Sequence, residues 1–189
     1  MSDNGWTKEA LGQMRRLDSF LKEVSRFSGS LLSVQRVALR DFGLSGPEGL
    51  TLIPANTRVA VATYRTHEDP ALYIEPETFN PARFYDSEHV KPDSESDKRQ
   101  LVTPTSDWVF FGTGKYACAG RFFAVNVLKA MLAHILVTYD VKFAGDPDFD
   151  GKESAGGTRA PPPVGYMAGF PLPPDSKSWR LLFRNRRDV

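Results

Sequence analysis

The feature that most constrains this chain is the run VFFGTGKYACAGRFFAVNVLKAMLAHIL, residues 109 to 136. Its second half reads as a helix from about 118 to 137 whose polar residues, Asn126, Lys129 and His134, are scattered around the axis. A helix apolar most of the way round has to be covered on several sides. Its first half is a glycine-punctuated loop holding Cys118, the single cysteine of 189 residues, between Gly114 and Gly120. The thiol thereby falls at the N-terminal end of the helix, where free amides and the helix dipole favour negative charge.

The remainder supplies few partners for such a helix. Residues 7 to 28 read as a helix capped by Thr7, with Leu11, Met14, Leu17, Asp18, Leu21 and Val24 at mostly apolar spacing and Gly29 as its stop. Strands are predicted over 31 to 39 and in LTLIP and TRVAVATY, the last two paired as a hairpin through PAN. Residues 67 to 84 are dense in proline and acid, 86 to 107 form a polar loop, 144 to 178 are rich in Gly and Pro, and WRLLFR is a closing strand. So much loop around so few elements predicts part of a larger protein.

Charge and cysteine content exclude several functions. The net charge of +1 gives no basic stripe, so no nucleic-acid partner is expected. A lone cysteine forms no internal disulfide. The polar start MSDNGWTKEA is not a signal peptide, and the polar residues within 122 to 137 argue against a membrane span.

Four roles for Cys118 compete on residue chemistry. The plainest is a small buried hydrophobe. Zinc is set aside, because about four Cys or His ligands are needed and His67, His89 and His134 are far apart in sequence. A Cys-His nucleophile stays open, although nothing marks its base. A phosphate loop at GTGK fails, because Val109 and Tyr116 stand where a glycine and a Ser or Thr are required. The fourth role is a thiolate ligand to haem iron, which needs negative charge favoured at sulfur, side-chain-free backbone beside a flat ring, and an aromatic wall against water. Gly114, Gly120 and Phe111 would supply the clearance and the wall.

FGTGKYACAG, Phe111 to Gly120, resembles the haem-binding loop of the cytochrome P450 family, F-x-x-G-x-x-x-C-x-G. The resemblance implies haem b (iron protoporphyrin IX) with Cys118 as catalytic and metal-ligating axial thiolate. The family's Glu-x-x-Arg pair is matched by Glu23 and Arg26 in EVSR, and NPARF is similar to the loop that adds a third member, Arg83. Periodicity alone makes Glu23 and Arg26 an ordinary surface pair of about 0.3–0.5 kcal/mol. The resemblance instead implies a buried triad that holds the haem-side scaffold. Arg36 matches the family's propionate-binding arginine, with Arg40 as its competitor. Tyr116 departs from the Arg or His usual two residues before the cysteine, so it can donate a hydrogen bond there but brings no charge.

The phrases GWTKEALGQMRRLDSFLKE and LKAMLAHILVTYDVKF look most like filamentous-fungal members such as ent-kaurene oxidases. The implied architecture is α+β, mainly helical: residues 1–189 as the C-terminal part of one haem-thiolate domain, with the oxygen-activating helix and N-terminal membrane anchor absent. A thiolate ligand favours cleavage of the oxygen–oxygen bond. The implied activity is insertion of one oxygen atom from O2 into a lipophilic substrate, terpenoids being the class that the fungal resemblance suggests, with electrons from an NADPH-dependent reductase. Full-length relatives would lie at the endoplasmic reticulum membrane. By the same resemblance, Gly29 to Val34 and the turn around Met167 to Phe170 would face substrate. A haem-thiolate isomerase or dehydratase and a non-catalytic haem-binding remnant are the alternatives.

Overall fold

The computed structural model describes residues 6–28, 33–85, 100–143, 166–167, 170–171 and 181–186. Two helices, α1 (Lys8–Gln13) and α2 (Arg15–Ser28), replace the single helix predicted over 7 to 28. Thr7 caps α1, its Oγ1 accepting from the Ala10 amide at 3.2 Å. The break falls at Met14 (φ −77°, ψ 65°), whose amide closes back on the Leu11 carbonyl at 3.3 Å. No proline marks it; only Gly12, a poor helix former, weakens the turn before it.

The orientation of α2 corrects the amphipathic expectation. Asp18, Ser19, Lys22, Glu23 and Arg26 are buried, while Leu17, Leu21 and Val24 are half-buried. The polar face turns inward because it packs against residues 67–85, a stretch of turns whose backbone groups need polar partners.

The strands pair differently from the prediction. β1 (Ser33–Val37) lies antiparallel to β4 (Arg58–Val61), and β2 (Phe42–Gly46), unforeseen, pairs with β3 (Gly49–Ile53) from Phe42↔Ile53 to Gly46↔Gly49. The two-residue connection at Pro47 and Glu48, with Gly49 at φ 108°, captures β3 before PAN can pair it with β4. The turn at 54–56 docks instead on Ala38, which accepts from the Asn56 amide at 2.7 Å. The end of TRVAVATY becomes α3 (Thr63–His67). After α4 (Arg121–Thr138), β5 (Tyr139–Phe143) pairs with β8 (Leu181–Asn185), near the predicted closing strand. A short pair, β6 (Tyr166–Met167) and β7 (Phe170–Pro171), flanks the turn predicted there. The described strands thus form four separate two-stranded sheets. The predicted stop at Gly29, most of the 86–107 loop and most of the 144–178 tail lie outside the described residues.

The core gathers Leu101, Trp108 and Val125, with Leu21, Val102 and Phe111 packed against it. Trp108 is fully buried and is the hub of an aromatic series. His67 stacks on it at 5.0 Å, Phe110 at 5.7 Å, and Phe111 meets Phe110 edge-on at 5.1 Å. The ammonium of Lys22 lies over Phe84 (4.6 Å) and Trp108 (5.1 Å), and burial lowers its pKa to about 8 against the pull of Asp107 and Asp18. Among the described residues only one face of α4 is covered: Val125, Lys129 and Ala133 are buried, while Phe122, Phe123, Met131 and Leu136 are exposed. The helix is long and apolar enough to cross a membrane by length and composition. Its central Lys129, however, is bonded inside the protein.

His67 gives this core a pH dependence. Burial, and next the Arg26 charge, lower its pKa from 6.5 to about 4. Below pH 6.5 the unfolded chain takes up a proton that the fold refuses, so stability falls with pH until about pH 4, where both states are protonated. We expect a loss on the order of 2–3 kcal/mol across that window. Urea titrations at a series of pH values should show this fall in the wild type and a flatter profile in His67→Phe. An equal fall in both would refute the assignment.

Candidate functional site

A fully buried carboxylate organises one side of the site. Glu23 accepts from Arg26 Nε at 2.9 Å and Nη2 at 2.9 Å, a two-pronged contact one helical turn apart on α2. Arg83 Nε reaches the same carboxylate at 3.0 and 3.1 Å, and the Asn80 amide donates to it at 2.9 Å. The outer nitrogens of the two arginines collect backbone carbonyls. Arg26 Nη1 donates to His67 and Pro76, both at 2.7 Å; Arg83 Nη2 donates to Glu75 (3.0 Å) and Thr78 (2.7 Å), and its Nη1 to Ile74. One carboxylate and two guanidiniums thereby satisfy a loop that has no ladder of its own. Ser19 adds a further tie, donating to the Pro81 carbonyl at 2.8 Å and accepting from the Phe84 amide at 3.0 Å.

The cysteine loop is joined to this scaffold through its N-terminal side. The Tyr73 hydroxyl donates to the Asp107 carbonyl at 2.6 Å, and burial pushes its phenol pKa upward, keeping it a donor. From Trp108 the chain enters the loop. The Cys118 amide donates to the Phe111 carbonyl at 2.8 Å, and Ala117 to Gly114 at 3.1 Å. Gly114 (φ 64°) and Gly112 (φ 70°) take the left-handed conformation that the turn requires. Gly112 was not singled out in the sequence; a Cβ there would make an ordinary contact with Val34 Cγ2 at 3.5 Å, so it is the positive φ that calls for glycine. The repeated glycine of FGTG was the available signal.

Cys118 itself lies just before α4, not within it, as a free, exposed thiol. Arg121 holds its carbonyl from below, by its amide at 3.4 Å and its Nη1 at 2.9 Å. A Cβ added at Gly120 would lie 4.0 Å from the sulfur, an ordinary contact distance. Arg36, beside an irregularity in β1 where Val34 has φ 49°, places its guanidinium 4.8 Å from the centre of the Tyr116 ring. Lys115 approaches the same ring at 5.7 Å. Tyr116 thus carries no charge but offers a ring face to cations, worth about 0.5–1 kcal/mol at an exposed site.

The structure therefore brings Glu23, Arg26 and Arg83 together, and separately Phe111, Gly114, Tyr116, Cys118, Gly120 and Arg36. Among the described residues no group of three His, Cys, Asp or Glu could hold a metal ion. Cys118 is an exposed free thiol in a loop that also carries Tyr116, over whose ring the Arg36 guanidinium lies.

Comparison with known proteins gives the family. Residues 2–167 match the cytochrome P450 family. The chain is 43% identical over 186 residues to cytochrome P450 monooxygenase 103 of Postia placenta, covering 98% of this chain and 33% of that protein. It is 39% identical over 184 residues to cytochrome P450 monooxygenase ltmK of Epichloe festucae, covering 96% and 31%. The chain thus spans about a third of the length of these curated relatives. Among solved structures, retinoic acid-bound cyanobacterial CYP120A1 superposes with a TM-score of 0.63 at 23% identity, covering 95% of this chain and 34% of that one. The fold described above is therefore a partial P450 haem-domain fold.

Glu23→Ala would strand two buried guanidiniums, and we expect it to cost about 3–5 kcal/mol. Glu23→Gln keeps one acceptor oxygen but turns an amide donor toward the guanidiniums and removes the charge between them, so a loss of similar size is expected. Urea unfolding measures both, and a change under 1 kcal/mol for the alanine variant would contradict the central role given to this carboxylate (roughly the value of an exposed pair).

Proposed function

Because the chain belongs to the cytochrome P450 family, we propose that residues 1–189 are the C-terminal part of a haem-thiolate monooxygenase domain in which Cys118 would be the thiolate that holds the haem iron. The observation that carries this reading is the exposed, unpaired thiol in a loop whose backbone is fixed at Phe111 and Gly114. When bound, a haem with a thiolate ligand supplies oxygen activation, the sulfur favouring cleavage of the oxygen–oxygen bond.

The chain's own residues then have distinct tasks. Cys118 would hold the iron. Gly114 and Gly120 would keep side chains away from the ring face, and Phe111 would shield the sulfur once haem covers it. Arg36 and Tyr116 would hold the propionates, the first by charge and the second by a hydrogen bond. The Glu23–Arg26–Arg83 network keeps the surrounding backbone in place. The reading extends to a lipophilic substrate, terpenoids being the class suggested by the fungal resemblance, to an NADPH-dependent reductase as electron donor, and to the endoplasmic reticulum membrane for the longer protein.

The test is an absorption spectrum of the chain refolded with haem, reduced under carbon monoxide. We expect a strongly red-shifted, thiolate-type Soret band that disappears in Cys118→Ser; a band unchanged by the substitution would reject Cys118 as the ligand. We further expect no reductase-dependent oxidation of any lipophilic substrate by the 189-residue chain alone, because it spans about a third of the length of its relatives. Measurable turnover would overturn that expectation.

A further inference from the structure

We propose that Lys129 is a positioning residue for the cysteine loop, acting through a buried ionic clamp that joins α4 to both α1 and α2. The inference rests on Cys118 being the haem ligand.

The buried face of α4 is a single row, Val125, Lys129 and Ala133, four residues apart and therefore on one line of the helix. At its centre stands a cation. The ammonium of Lys129 donates to Asp18 Oδ2 at 2.6 Å and to the Leu11 carbonyl at 2.8 Å. Both side chains of the ion pair are almost fully buried. Leu11 belongs to the last turn of α1 and Asp18 to the first turn of α2, so one side chain grips both sides of the break at Met14. Asp18 Oδ1 accepts no hydrogen bond, so the carboxylate's side-chain bond is the one to Lys129, while its charge also acts on the Lys22 ammonium.

Such a clamp does what the flanking apolar contacts cannot. Val125 and Ala133 contribute burial that is non-directional and would tolerate rotation or sliding of α4. Hydrogen bonds are directional, and two of them to two elements fix both rotation and axial position. A slip of one helical turn, about 5.4 Å, would break both. Position matters because α4 begins at Arg121, whose amide and guanidinium hold the Cys118 carbonyl. Any rotation of the helix is therefore passed directly to the thiol. Lys129 lies about 12 Å along the axis from Arg121, so it acts on the aim of the sulfur and not on its chemistry. The same α2 carries Glu23 and Arg26, so the clamp also fixes the cysteine loop relative to the buried network.

The experiment compares Asp18→Leu/Lys129→Met, which removes both charges and strands neither, with Lys129→Arg, which keeps the cation but changes its donor geometry. Each is loaded with haem beside the wild type and Cys118→Ser, and thermal unfolding and the reduced carbon monoxide spectrum are recorded. The double variant should unfold close to the wild type yet lose most of the thiolate-type band to the position seen in Cys118→Ser. If the double variant does not fold, Lys129→Arg carries the test, and it too should shift the band. A wild-type spectrum in whichever of these variants folds would overturn the positioning role while leaving Cys118 as ligand. Absence of any Cys118-dependent band in the wild type would instead overturn the haem reading and this inference with it.

Discussion

The structure depends on one carboxylate. Glu23 is surrounded by two guanidiniums and a backbone amide, and the arginines it holds spend their remaining donors on carbonyls between 67 and 78. That stretch has no sheet to satisfy its backbone, so in the absence of these donors it would need water, and the helix beneath it would lose its cover. Ion pairs this deep are expensive to desolvate and add little net stability over a well-packed apolar core. What this one adds is definition: a fixed path for a loop whose proline-rich sequence favours no regular structure.

From that network the constraint passes to the site in two directions. One runs through Tyr73 and the stack of His67, Trp108 and Phe110 into Phe111, whose carbonyl receives the Cys118 amide. The other runs along α2 to Asp18 and across to α4, which starts immediately after the cysteine. The thiol is consequently exposed while its backbone is held at the Phe111 carbonyl and by Arg121. The exposed apolar faces of α4 belong to the same picture, since the chain spans about a third of its relatives.

Much of the site was legible because its chemistry is local in sequence. The loop from Phe111 to Gly120 carries its own turn residues, and its separation from Glu23, Arg26 and Arg83 did not hide them once their spacing matched a family pattern. The fold was less legible. Hydrophobic periodicity predicted that the apolar stripe of the first helix would face inward, yet Asp18, Ser19, Lys22, Glu23 and Arg26 do so. Polar burial leaves no periodic signal, because a charged residue looks the same in sequence whether water or a guanidinium satisfies it. The break at Met14 carried no proline, and the pairing of β2 with β3 follows the Gly-Pro-Glu-Gly turn at 46–49, a signal passed over in favour of the hairpin through PAN. Lys129 read as an interruption of an apolar helix because its partner lies 111 residues away.

The account stands most directly on iron–sulfur ligation in the haem-loaded chain. Iron-edge X-ray absorption measures it without reference to substrate or reductase. A sulfur atom in the iron coordination shell that is replaced by a lighter neighbour in Cys118→Ser is the predicted result. A shell of nitrogen and oxygen alone in the wild type would contradict it.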